Sequence, residues 1–481
     1  METKRIRSFV INFRTFVYTR ATFLVAILVF LIHKVSLGIL IKYNVLEAFG
    51  ENGNKELITR LSVYDGNIYA RISELGYNYW YLFSTRPIEF SFLPGWPWLL
   101  RFLFSIASKF TDLVTIESLG IITNQILLFP MIYLLLKLCQ KLQYSIRNSA
   151  LISVLFLYYP GSVFFNFNYN ETLFLVGLLL FSNLWVSGRR SLALAVVIPF
   201  TLVRLNIIFI VLGVVLFELG KHFQLNNLNL AIQNFDYHAK MARIWLFSKR
   251  KWIIFWLIIL TLPLFFWFLW QYQNYGEIMY FSTQKLYFNR QSQGLQGVYY
   301  AILDSLQILQ NKDLNLFSPK NLGLFSLPFL LGSALLTAFF GIQRFFEKSS
   351  KVWKVASVAI LTFWSLVFIY KNSIYWNSPL VADVFINILP MYVIFCGIYG
   401  MFKNSKLRFW LIATLLCLYL PLSSGTFASM NRYIIQSPIL FVAFYDSNFL
   451  KNKAFYFFTL IIFLAGYALL FYRFTHYEWA G

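Results

Sequence analysis

Three parts of this chain hold polar side chains whose types and spacing could bind sugars and phosphates. The first is YDGNIYARISELGY, starting at Tyr64. Ile68, Ile72 and Leu75 recur there at four and three residues, the apolar stripe of a short amphipathic helix lying on a membrane. Asp65 stands at the start of that helix, where exposed N–H groups and the helix dipole favour an ionised carboxylate; its plainer role is an N-cap. Glu74 falls nearly opposite and reads as solvated, while Glu89 and the rigid FLPGWP at 92–97 follow. The second part is YYPGSVFFNFNYNETLF, from Tyr158 to Phe174, which exposes Asn166, Asn168, Asn170 and Glu171 between two spans. Some of this is cap chemistry, since Asn170 can cap the helix that Glu171 opens. The density of amides and rings also suits a carbohydrate, whose hydroxyls need donors and acceptors and whose C–H faces stack on aromatics. The third part comprises Gln284 and Arg290 in a later loop and Arg432 with Tyr433 at the mouth of a late span. An arginine there snorkels to the interface or holds a lipid phosphate.

The elements that must position these residues belong to a membrane protein. Of 481 residues, 59% are hydrophobic and 12% charged, against roughly a quarter charged in a soluble domain. The runs 22–42, 252–271, 323–343 and 455–472 each approach the ~20 residues that cross a hydrocarbon core of about 30 Å. They lack the alternation of a barrel, so they are expected to be helices that pair every backbone group internally. The net charge of +22 comes from 41 Lys and Arg, most of which flank the apolar runs. That is the pattern that orients membrane helices, and it argues against a nucleic-acid partner. The run after Arg20 is too long for a cleavable signal and should remain as an anchor. Cys139, Cys396 and Cys417 read as small core residues, and the four scattered histidines make zinc or iron improbable.

Lys4, Arg5, Arg7, Arg14 and Arg20 put the N-terminus in the cytoplasm and the loop from about 43 outside. Residues 93–111 carry Pro94, Pro97 and Arg101 and are read as a helix at the outer interface, which keeps Lys137, Lys141 and Arg147 inside with every later basic cluster. In 191–219, Arg204 and Asn206 mark a polar apex between two short helices; one long tilted helix with a buried, paired arginine is the alternative. The result is an all-α polytopic chain of about thirteen spans with its C-terminus outside. Residues 1–481 form one membrane domain, with outer loops 43–115 and 272–322 and a cytoplasmic loop 220–251. Short outer connections fall at 166–171, 371–380 and 423–432.

In the order of these elements the chain resembles the PIG-V-like mannosyltransferase family, comprising the second mannosyltransferase of glycosylphosphatidylinositol assembly and its prokaryotic relatives, within the GT-C class. An aspartate opens a helix ending in Gly-Tyr (Asp65, Gly76, Tyr77), then an acidic residue precedes Phe-x-Pro-Gly-x-Pro (Glu89, Phe92, Pro94, Gly95, Pro97). Pro160, Ser162, Phe164 and Phe165 lead to Tyr169, Glu171, Leu173 and Phe174; Arg204 with Asn206, Phe281 with Gln284, and Arg432-Tyr433 with Pro438 follow. Tyr64 stands where the family usually has Trp, and Asn170 where it usually has Ser or Asp.

The resemblance implies a GT-C fold and an inverting transferase. It would take a sugar from a polyprenyl-phosphate donor at the outer or luminal face and pass it to a lipid-linked or cell-surface glycan acceptor. Asp65 would be the general base. Arg432 and Arg204 would neutralise the departing phosphate. Glu89, Tyr64, Asn168, Asn170, Glu171 and Gln284 would bind sugar or acceptor. No compelling metal site stands out, though Asp65 with Glu89 could hold a divalent cation. The alternative is a flippase or transporter of a lipid-linked saccharide, which needs ionisable groups near the bilayer midplane; Lys34, Glu218 and Asp383 are the few charges within spans. The abundance of Asn, Lys and Phe without a retrieval signal favours a bacterial plasma membrane, with the endoplasmic reticulum second. Besides substrates, the expected partners are membrane lipids.

Overall fold

The computed structural model describes residues 2–220, 235–288, 296, 298 and 379–477, less 49, 51, 52, 82, 83, 85, 405, 408, 409, 423–428, 448 and 449. The apolar run 323–343, the connection 371–378, and Arg290 lie outside the described residues. Every regular element among the described residues is helical. In chain order they are α1 (Glu2–Ile41), α2 (Gly53–Arg60), α3 (Asp65–Leu75), α4 (Tyr77–Tyr81), α5 (Gly95–Ala107), α6 (Ile116–Lys141), α7 (Ile146–Tyr158), α8 (Glu171–Val186), α9 (Arg190–Val197) and α10 (Asn206–Gly220). After these come α11 (Phe235–Tyr275), α12 (Met279–Phe288), α13 (Pro379–Lys403), α14 (Leu411–Leu422), α15 (Met430–Ile434), α16 (Pro438–Asp446) and α17 (Lys453–Thr475). Short 3-10 helices cover Ile88–Ser91, Pro160–Asn166 and Ile198–Leu202, and a π-helical turn covers Lys42–Leu46.

Among the described residues, four helical stretches are long and apolar enough to cross a membrane: Arg20–Leu46, Ile116–Lys141, Phe255–Tyr275 and Lys453–Thr475. A fifth would join Ile146–Tyr158 to Pro160–Asn166, a pair bent by 81° where Pro160 interrupts the helix. Over the described residues the chain is thus all-α and of membrane-protein character. Helix α5 has 13 residues, a rise of about 20 Å that falls short of a hydrocarbon core. Trp96, Pro97 and Leu100 are buried on one of its faces, while Arg101 and Phe102 are exposed.

One expectation changes here and one holds. The presumed cytoplasmic loop 220–251 is helical from Phe235, continuous with the apolar run that follows. No Gly or Pro stands between Phe235 and Lys251 to break it. In 191–219 the backbone does break, at Val203–Leu205, so Arg204 lies between a 3-10 turn and α10 rather than inside one long helix.

Packing gathers the polar segments. Helix α3 lies against α5 and α6, α6 against α8, and the Pro160–Asn166 turn against α15 and α17. Leu61 and Val63 are buried with Phe164, Phe167, Tyr169, Phe471 and Phe474. Tyr69 and Ile72, just beyond, belong to a different core with Phe92, Trp96 and Trp267. Asp65 therefore falls at the junction of two apolar clusters. In lipid such clusters are held by close packing and polar contacts rather than by exclusion of water.

Candidate functional site

The chain enters α3 through Tyr64, whose φ of 53° and ψ of −118° are rare for a residue with a β-carbon. Its ring packs edge-on against Phe474 with centroids 5.4 Å apart, and this contact offsets part of the backbone strain. Tyr64 occupies the N-cap position, and Asp65 is the first helical residue. The buried face of α3 is Asp65, Gly66, Tyr69, Ala70, Ile72 and Ser73, while Leu75 is 40% exposed. Of the expected stripe, Ile72 is buried and Ile68 packs half-buried against the same core, while Leu75 is exposed, so the resting face is displaced toward Asp65, Tyr69 and Ser73. Asp65 points inward and is no simple cap.

Its partner is Arg432. Ser429, in the left-handed region at φ 62° and ψ 14°, opens α15 and turns Arg432 into the protein. The guanidinium donates through Nη1 to Asp65 and through Nε to Glu171. It lies over the rings of Tyr169 and Phe164, at 4.7 and 5.2 Å from their centroids. Glu171 also accepts from Arg204. Arg204 Nε donates to Asn170 Oδ1 at 2.9 Å, and Asn170 Nδ2 donates to the Val203 carbonyl at 3.0 Å. Asn170 is thus at the N-cap of α8 without capping it; its amide ties α8 to the break in 191–219. Asp65, Arg432, Glu171 and Arg204 form one chain of two acids and two cations. Burial alone would lower the Arg432 pKa, but Glu171 and Asp65 outweigh it and hold the guanidinium charged. Burial pushes the Tyr69 and Tyr169 phenols well up, so both stay neutral beside the cluster. Glu171 is fully buried, and its Oε2 has no hydrogen-bond partner among the described residues.

Asn166 and Asn168, expected at an exposed carbohydrate surface, are interior residues. Asn168 Oδ1 accepts from Trp96 Nε1 at 3.2 Å, and its Nδ2 donates to Ser62 Oγ at 3.2 Å and to the Gly66 carbonyl at 3.0 Å. The amide is spent on joining α5, the Ser62 turn and the first turn of α3. Gly120 on α6 makes room for it, because a β-carbon there would overlap the Asn168 amide. Asn166 is held by His33 at 3.2 Å and by Tyr467. Sequence reasoning missed Asn124, whose Nδ2 donates to the carbonyls of Phe167 at 2.6 Å and Tyr169 at 2.7 Å. A lone amide within an apolar span was the signal for it.

Glu89 and Gln284 gather elsewhere. Glu89, 3% exposed, pairs with Arg71 at 2.8 Å, and Arg71 lies 4.8 Å over Trp80. Gln284 Nε2 donates to the Ser91 carbonyl at 2.6 Å, so α12 clamps the turn that carries Glu89. Burial raises the Glu89 pKa above its ordinary value, with Arg71 pulling the other way. The two carboxylates named for a divalent cation, Asp65 and Glu89, are each engaged by a different arginine, Arg432 and Arg71. No group of three or more His, Cys, Asp and Glu converges among the described residues.

No known family model matches the chain, and no curated protein matches it. The chemistry of the arrangement bounds what it can do. It offers a carboxylate at a helix N-terminus and two guanidiniums whose charges are balanced by two acids, enclosed by aromatic rings. A phosphate brought to Arg432 would compete with Asp65 for the same donor.

Proposed function

We propose that this chain is an inverting glycosyltransferase of the GT-C type that moves a sugar, mannose in the first instance, from a polyprenyl-phosphate donor to a lipid-linked or cell-surface glycan acceptor. The reading carries with it the thirteen-span topology inferred above, the outer or luminal face as the working side, and the family likeness of the motifs around Asp65 and Glu171. The single observation that supports it is the buried Asp65–Arg432–Glu171–Arg204 chain, because four segments far apart in sequence converge on the residues the chemistry would use.

In this mechanism the acceptor hydroxyl oxygen attacks the anomeric carbon from the face opposite the phosphate, and the bond from that carbon to the phosphate oxygen breaks. The hydroxyl proton passes to Asp65, and polyprenyl phosphate leaves with the bonding pair, its charge met by Arg432. Before the donor arrives, Arg432 donates to the Asp65 carboxylate and occupies it. Donor phosphate drawing off Arg432 frees the carboxylate as the substrate seats, which restrains the base until there is a substrate to act on. Glu171 and Asn170 are positioning residues, since they hold the two arginines. The unpaired Oε2 of Glu171 is an acceptor for a sugar hydroxyl once the cluster opens.

A flippase or transporter of a lipid-linked saccharide is the second reading. His33, fully enclosed within the first span, and Lys34, bonded to Gln125, are intramembrane groups that favour it. Transfer of radiolabelled mannose from polyprenyl-phosphate mannose to lipid acceptors by the purified chain, measured with Asp65→Asn as control, separates the two. Label that crosses a vesicle membrane without changing carrier would overturn the transferase.

A further inference from the structure

A second site lies at the other end of α3. A cavity of about 670 Å³ opens between Leu75–Asn78, α5, the 3-10 turn at Ile198–Leu202 and α11. Its size falls within the range of small-molecule and cofactor pockets. Trp267 and Trp270 stack there with centroids 4.8 Å apart and planes at 17°, and Trp98 meets Trp267 edge-on at 5.8 Å. These rings give the cavity an apolar wall. The Trp267 indole N–H is buried with no hydrogen-bond partner among the described residues, which leaves an unused donor in that wall.

The cavity also holds a cation. Trp98 and Arg101 stand three residues apart and so share one face of α5, away from the buried Trp96 and Leu100. Gly76 adopts φ +76°, a conformation that side chains disfavour, and Arg101 Nη1 lies 3.5 Å from where its β-carbon would be. The guanidinium thus rests over bare backbone. No carboxylate pairs with Arg101 among the described residues, whereas Arg432 and Arg204 are both held by acids. An anion entering this region from the outer side meets Arg101 uncompensated and must displace a carboxylate to reach Arg432.

We infer that this cavity binds polyprenyl phosphate, with the isoprenoid chain against the tryptophans and the phosphate on Arg101. The identity of that lipid rests on the transferase reading; the existence of a lipid-phosphate site does not. Leu202 lines the cavity and Arg204 lies two residues beyond it, so the backbone break that carries Arg204 borders this site. Arg101 would hold the phosphate before the donor reaches Arg432 and again as the product leaves.

The test is binding of polyprenyl phosphate of eleven isoprene units to the full-length chain in detergent micelles, followed by tryptophan fluorescence. The corresponding polyprenol and dioleoyl phosphatidic acid are titrated alongside. Loss of a charge-assisted contact should weaken polyprenyl phosphate by about tenfold or more in Arg101→Gln while leaving the polyprenol unchanged. Leu75→Trp, which fills the cavity from a position 40% exposed, should weaken both. Binding unaltered in both variants overturns the inference, and so does phosphatidic acid binding as tightly as polyprenyl phosphate, which would mark a site for ordinary phospholipid. Transfer measured on the same samples keeps the two readings apart. Arg101-dependent binding without transfer overturns the transferase alone, whereas transfer with Arg101-independent binding overturns this site alone.

Discussion

Replacing Asp65 by Asn should separate two roles that the structure gives one carboxylate. In the folded chain the side chains of Asp65 and Arg432 are 11% and 10% exposed, and Glu171 is 0% exposed. Wild type balances Asp65 and Glu171 against Arg204 and Arg432; Asp65→Asn leaves one positive charge over. Breaking a buried pair costs about 3 to 5 kcal/mol when the survivor has no other partner. Arg432 keeps Glu171, the Asn oxygen and the rings of Tyr169 and Phe164, so the expected loss is nearer ~2 kcal/mol. Asp65→Asn with Arg432→Gln restores the balance and should recover about 1 kcal/mol or more of it. Transfer should not recover, because the proton acceptor is still missing; a loss of about 10²-fold or more is expected in both variants. Thermal unfolding in detergent, read by tryptophan fluorescence, gives the first quantity, and radiolabelled sugar transfer gives the second. Wild-type transfer by a folded Asp65→Asn would remove Asp65 as the base. If the second substitution restores no stability, the electrostatic account of the cluster fails.

Other consequences can be checked with the same unfolding assay. Asn168→Ala strands the Trp96 N–H and should cost about 2 to 4 kcal/mol, more than Asn78→Ala at the exposed end of the cavity. Gly161→Ala places a β-carbon into the Asn431 carbonyl beside Arg432 and should cost about 1 to 3 kcal/mol; a variant as stable as wild type would show that α15 can shift without penalty. Burial raises the Glu89 carboxyl above its ordinary pKa of 4.5, so the folded state binds the proton more tightly than the unfolded one. Its contribution to stability is full below pH 4.5 and is lost as pH rises through the raised value. Glu89→Gln should therefore lose less stability than wild type as pH rises above 4.5, and parallel profiles would contradict the assignment.

Composition and the placement of apolar runs determined that the chain is helical and belongs in a membrane, since twenty apolar residues in lipid have no other way to pair their backbone. The bounds of α3 were also legible: Asp65 opens it, and Gly76, at positive φ, ends it. The face on which α3 rests was legible only in Ile68 and Ile72. Periodicity registers apolar side chains, and the buried face is organised around Asp65, Tyr69 and Ser73, whose burial depends on partners elsewhere. For the same reason the amides of Asn166 and Asn168 looked like an exposed sugar surface and are interior braces. A polar residue on the surface and one buried with a partner are identical in one dimension. Tertiary structure alone decided the difference, by bringing Arg432 from 367 residues away to Asp65 and from 261 away to Glu171, with Arg204 from 33 away on the other side. The cost of taking those charges out of solvent is offset only when the fold supplies the opposite charge, and no local pattern carries that information.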